Sequence, residues 1–75
     1  MANSITNNIR YFRFMQNEMT QKELADLVGV SRQTIIAIEK EKYAPSLELA
    51  FQISHIFNQP LESVFSYHHS STNVK

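Results

Sequence analysis

Residues 24–39 read LADLVGVSRQTIIAIE and hold the single glycine of the chain, Gly29. Aliphatic residues lie on both sides of it, and an Arg-Gln pair, Arg32 and Gln33, stands just beyond. Upstream, Leu24, Ala25, Leu27 and Val28 are spaced as the buried stripe of a helix. Thr20 followed three residues later by Glu23 is a capping-box pattern, in which each side chain satisfies a backbone NH of the first turn. Gly29 falls where a chain leaving a helix often adopts the left-handed conformation, which costs any residue with a Cβ more. Ser31 is suited to cap a third helix, residues 32 to about 40, with Ile35 and Ile38 as its apolar face. The stretch therefore predicts two short helices joined by about three residues.

Helices joined so tightly cross steeply, which is the helix-turn-helix arrangement, with its second helix available for the DNA major groove. The steric requirements agree. Ala25 is small where the helices cross, Gly29 comes four residues later, and Ile35 and Ile38, ten and thirteen residues after Ala25, point back to the core. At about 100° per residue, that inward pair turns Arg32, Gln33, Ile36, Ala37 and Lys40 outward. Arg can bond guanine O6 and N7 with both prongs of its fork, Gln can treat adenine N6 and N7 likewise, and an aliphatic group can meet a thymine methyl. Arg32 and Gln33 occupy the first turn, where this motif reaches base edges, and Thr34 beside them completes the candidate set.

Working outward, Ile5, Ile9, Phe12 and Met15 or Gln16 predict a first helix from about residue 6 to 17, which also carries Arg10 and Arg13. Pro45-Ser46 starts a fourth helix with Leu47, Leu49, Ala50, Ile53, Ile56 and Phe57 as core, and Asn58 can close it in the left-handed conformation. Gln59-Pro60 opens a short fifth helix with Leu61, Val64 and Phe65. Five short helices with short connections give an all-α five-helix bundle, expected as one DNA-binding domain over residues 1–67. The remainder, 68–75, lacks apolar periodicity and is expected to be a mobile tail.

Composition bounds the rest. Seventy-five residues with 43% apolar content fit a single small folded domain, near the size where one core becomes marginal without a partner chain. Without cysteine there is no disulfide framework, and with no membrane-length apolar run or signal-like start, a cytoplasmic location is expected. Net charge is zero, so bulk electrostatics makes no case for nucleic acid. Placement is more telling. Arg10, Arg13, Lys22, Arg32, Lys40 and Lys42 all lie in the first 42 positions, whereas residues 43–74 carry only Glu48 and Glu62 as formal charges. His68, His69 and distant His55 lack convergent metal-ligand spacing, and a chain with one Asp offers no Ser-His-Asp constellation. No enzyme, metal, cofactor, membrane contact or small-molecule effector is expected.

The segments NNIRYFR, MTQKELADLVGVSRQTIIAIEKEKYAPSLELAF and PLESVF resemble the Cro and phage-repressor type of helix-turn-helix regulator over residues 5–67. SRQTIIAIE and KYAPSLELA look especially like its small single-domain bacterial members, the cytolysin repressor among them. The resemblance implies a λ-repressor-like fold and double-stranded DNA as partner. It places Gln21 against a phosphate or base beside Gln33, and Lys40, Lys42 and Tyr43 against backbone phosphates. It maps the family's buried ion pair onto Arg13 and Glu39, which would tie the first helix to the third. It also allows a short strand pairing of Asn3–Thr6 with Ser66–His69. Two departures stand out. FMQNEM is one residue longer than the commonest pattern, and Glu41 and Asn58 occupy positions where many relatives have glycine. Glu41 lies near the phosphate-facing loop, where its charge weakens binding.

The expected function is sequence-specific transcriptional regulation, as a repressor, by a homodimer on a two-fold operator. Its interface is expected around Phe57, Pro60, Leu61 and Phe65, with some of these serving the core. The rival reading is a protein-interaction module or antitoxin using the same fold.

Overall fold

Residues 3–69 are described by the computed structural model. A strand, β1 (Asn3–Asn7), leads into α1 (Ile9–Met15), α2 (Gln21–Val28), α3 (Arg32–Glu39), α4 (Leu47–Ile56) and α5 (Leu61–Val64), and β2 (Phe65–His69) returns to β1. The two strands pair antiparallel in the register Asn3↔His69 to Asn7↔Phe65, one pair longer than the terminal pairing expected from resemblance. The fold is therefore mostly helical with a small sheet, rather than all-α.

The strand corrects the first helix. Residues 6 and 7 belong to β1, and Asn7 turns the chain into α1: its side-chain oxygen accepts from the Ile9 NH at 3.2 Å while its Nδ2 donates to the Ile38 carbonyl at 2.9 Å. Ile5 thus lies exposed on the sheet instead of on a helix face. At the other end Asn17 and Glu18 are both left-handed, at φ 61° and 56°, so α1 stops at Met15, which is exposed. Gln16 leaves the helix and its Nε2 donates to the Ile56 carbonyl at 3.1 Å, joining the ends of α1 and α4.

The core is built from Ile9, Leu24, Ala25, Ile35, Ile38, Leu49, Ala50, Ile53, Phe57, Val64 and Phe65, with Phe12, Val28, Val30 and Leu61 packed against its edge. Leu27 and Leu47 were expected there and are not: Leu27 is 57% exposed and Leu47 66%. Each sits at the margin of its helix's inward arc, roughly 100° per residue from neighbours that already fill the interior. Phe57 and Phe65, expected at a dimer interface, are 4% and 9% exposed within this one chain and so are core residues. The boundary expected for a mobile tail also moves, because His68 and His69 lie in β2; His68 Nε2 is 3.1 Å from the Thr6 hydroxyl. Residues 70–75 lie outside the described residues.

Candidate nucleic-acid interface

Local chemistry places α2 and α3. Thr20 Oγ1 accepts from the Glu23 NH at 3.0 Å and Glu23 Oε1 accepts from the Thr20 NH at 2.8 Å, the complete capping box that the sequence predicts. Gly29 ends α2 at φ 76°, and the Val30 NH reaches back to the Ala25 carbonyl at 3.0 Å. Ser31 caps α3, its Oγ accepting from the Thr34 NH at 3.1 Å. The connection is Gly29–Val30–Ser31, and Val30 inserts its side chain against the core. Leu24 and Ala25 of α2 and Ile35 and Ile38 of α3 are buried, which sets the crossing and turns the rest of α3 outward.

Arg32 and Gln33 stand exposed on the first turn, and neither makes a hydrogen bond or ion pair among the described residues. Thr34 is half-buried, and its hydroxyl lies 3.0 Å from the Ser31 hydroxyl, so it takes part in the cap. Ile36 and Ala37 are half-buried, Lys40 is exposed, and Lys42 and Tyr43 are exposed in the loop that leads to α4.

Arg13 and Glu39 form the ion pair expected from resemblance, tying α1 to α3. Arg13 Nε donates to Glu39 Oε2 at 2.7 Å and its Nη2 to Oε1 at 3.1 Å, a two-pronged contact with side chains only 14% and 10% exposed. The third prong, Nη1, donates to the Met19 carbonyl at 2.8 Å. The left-handed Asn17 and Glu18 fold the longer FMQNEM connection back, which brings that carbonyl to Arg13. Gln21 has a role that sequence reading missed: its Nε2 donates to Glu39 Oε1 at 3.2 Å, linking the start of α2 to the pair. No feature of the sequence marks that contact, since it depends on how steeply α2 and α3 cross.

Beside α3 the chain leaves an open groove of 770 Å³ lined by Ile36 and Lys40 of α3, Arg10 and Tyr11 of α1, and Gln21 and Glu18. It brings together two of the sequence-predicted phosphate contacts, Gln21 and Lys40, but not Lys42 or Tyr43, which line a different hollow of 330 Å³ with Ile5, Phe65 and Tyr67. Nothing in the sequence marks Arg10 or Tyr11 as site residues.

The sequence profile of the helix-turn-helix family matches residues 9–64, from the start of α1 to the end of α5. The chain belongs to the helix-turn-helix regulators of the Cro and phage-repressor type. Among its relatives, an uncharacterised HTH-type transcriptional regulator of Methanocaldococcus jannaschii is 54% identical over 61 residues, covering 81% of this chain and 91% of that protein. One from Archaeoglobus fulgidus is 51% identical over 59 residues, 79% of this chain and 82% of the relative. The fold is also that of a crystal structure of a Bacteroides fragilis protein, with a TM-score of 0.71 at 22% identity over 83% of this chain and 98% of that one.

Proposed function

We propose that this member of the family is a sequence-specific DNA-binding transcriptional regulator, a repressor with a λ-repressor-like domain, that binds a two-fold operator as a homodimer in the cytoplasm. The observation that carries the reading is the first turn of α3, where Arg32 and Gln33 are exposed and have no partner among the described residues. Their donors and acceptors match guanine and adenine edges in the major groove. Ile36 and Ala37 offer apolar contact to a thymine methyl farther along the same face. Lys40, Lys42 and Tyr43 supply contacts to backbone phosphates, which position the helix without specifying bases. The names of the relatives support the same reading.

The rival, a protein-interaction module or antitoxin, draws on the zero net charge and on exposed Leu27 and Phe51. Salt separates the two. A DNA protein loses affinity for duplex steeply on a log-log plot against salt, and an interaction module shows almost no slope. Selection of bound sequences from a random duplex pool supplies the operator. Gln33→Ala is then expected to weaken the operator by roughly 1 to 3 kcal/mol and random duplex hardly at all. Equal weakening of both duplexes overturns base reading by α3.

A further inference from the structure

The chain has no net charge with which to attract a polyanion, so any grip on DNA depends on where its unpaired cations stand. Arg13 is neutralised by Glu39, and Lys22 lies 3.1 Å from Asp26 on the exposed side of α2. Arg10 is different. It is exposed on α1, makes no hydrogen bond or ion pair among the described residues, and lines the 770 Å³ groove that Ile36 and Lys40 of α3 also line. Lys40 is the groove's second unpaired cation, and Glu18 is its one carboxylate without a cationic partner among the described residues. Two cations against one carboxylate leave the groove net positive by one. Tyr11, an exposed residue that also lines the groove, adds a hydroxyl.

The major groove of a duplex is about 12 Å wide and is walled by the phosphates of its two strands. A helix lying in it has one strand along each flank. Lys42 and Tyr43, beyond the end of α3, line a separate hollow, and the groove shared with α1 is lined by Ile36 and Lys40 of α3 itself. We infer that this groove is the path of one phosphodiester strand, with Arg10 as its principal cation and the Tyr11 hydroxyl as a second donor, so that α1 as well as α3 holds the DNA. The inference rests on the DNA-binding reading above and adds to it a contact made by a helix outside the helix-turn-helix. Arg10 is a positioning contact: a guanidinium on phosphate carries no base information.

The test uses the full chain, the selected operator and a scrambled duplex, titrated at several salt concentrations. Arg10→Ala is expected to weaken both duplexes by the same factor and to flatten the log-log salt slope by about one per protomer. Arg10→Lys restores most of that slope, Tyr11→Phe weakens both duplexes without changing it, and Glu18→Gln strengthens both. Thermal melting of each variant close to the parent's excludes a folding effect, as expected for exposed side chains. If the parent binds duplex steeply with salt while Arg10→Ala leaves affinity and slope unchanged, the strand does not run through this groove, although the regulator reading stands. A parent with no salt-dependent binding overturns the reading and the inference together.

Discussion

Left-handed residues follow the last turns of α2, α3 and α4, and the three sites hold three different residue types: Gly29 at φ 76°, Glu41 at φ 63° and Asn58 at φ 55°. The closure is the same each time, the next NH reaching back five residues: Val30 to the Ala25 carbonyl at 3.0 Å, Lys42 to Ala37 at 2.9 Å and Gln59 to Ser54 at 3.0 Å. An αL residue with a Cβ costs roughly 1 to 2 kcal/mol, less for Asn, whose short polar side chain tolerates it. No atom lies within 4 Å of where a Cβ on Gly29 would be, so a substitution there meets conformational strain rather than a clash. Gly29→Ala is accordingly expected to lower stability by about 1 kcal/mol, Gly29→Asn by less, and Gly29→Val by more than either. Thermal or urea melting ranks the three, and equal melting of the valine variant and the parent would show that the turn does not need its glycine. Glu41 runs the other way. Glu41→Gly is expected to raise stability by about 0.5 to 1 kcal/mol and to strengthen duplex binding by removing a negative charge beside Lys42, whereas Glu41→Gln strengthens binding with little effect on melting. Gly29 and Asn58 are legible in the sequence because their residue types favour φ above zero. Glu41, Asn17 and Glu18 were not read as left-handed, since glutamate carries no such preference and Asn17 lacks a clear helical stop before it.

The elements were legible where period and cap coincide. α2, α3 and α4 begin at the residues after Thr20, Ser31 and Ser46, each of which accepts a hydrogen bond from the first turn as its residue type predicts. α1 has no side-chain cap, because the Asn8 amide is turned to the Ser63 carbonyl at 3.1 Å, and its start was misplaced. The strands NSITN and FSYHH have no strong alternation; only family resemblance suggested their pairing, which depends on contact between the chain's two ends. What holds α1 to α3 is the Arg13–Glu39 pair, and at 14% and 10% exposure its members are largely shielded from water. Removing Glu39 strands Arg13 and the Gln21 amide, and removing Arg13 strands Glu39 and the Met19 carbonyl. Glu39→Ala is therefore expected to cost about 3 kcal/mol. An Arg13→Met, Glu39→Leu double variant should recover a large part of that loss, because apolar replacement of both members removes the stranded charge. A double-mutant cycle in urea checks this, and additive losses would show that the pair is not coupled.

At the scale of the whole molecule the small core takes the aromatic residues that a dimer interface was expected to use. Phe12 and Phe57 stack with ring centroids 5.7 Å apart, and Phe65 closes the core where α5 passes into β2. Of the expected interface, Pro60 remains exposed and Leu61 half-buried. The distinction between core and interface can be measured, because a bond between two copies makes melting depend on protein concentration and a contact within one copy does not. Phe57→Ala is expected to lower stability by about 3 to 5 kcal/mol, as a large cavity does, and to leave in place the rise of melting temperature with concentration that the proposed homodimer would give. Leu61→Glu also loses packing at the core edge, so a lower melting temperature alone says nothing about assembly. Its specific effect on a proposed homodimer is to abolish the concentration dependence and to shift sedimentation to the monomer, with half-operator binding by each protomer retained. If the parent sediments as a dimer and Leu61→Glu does too, with the same concentration dependence of melting, the interface lies elsewhere. The exposed apolar face of Leu27 and Phe51 across α2 and α4 is then the next surface to alter.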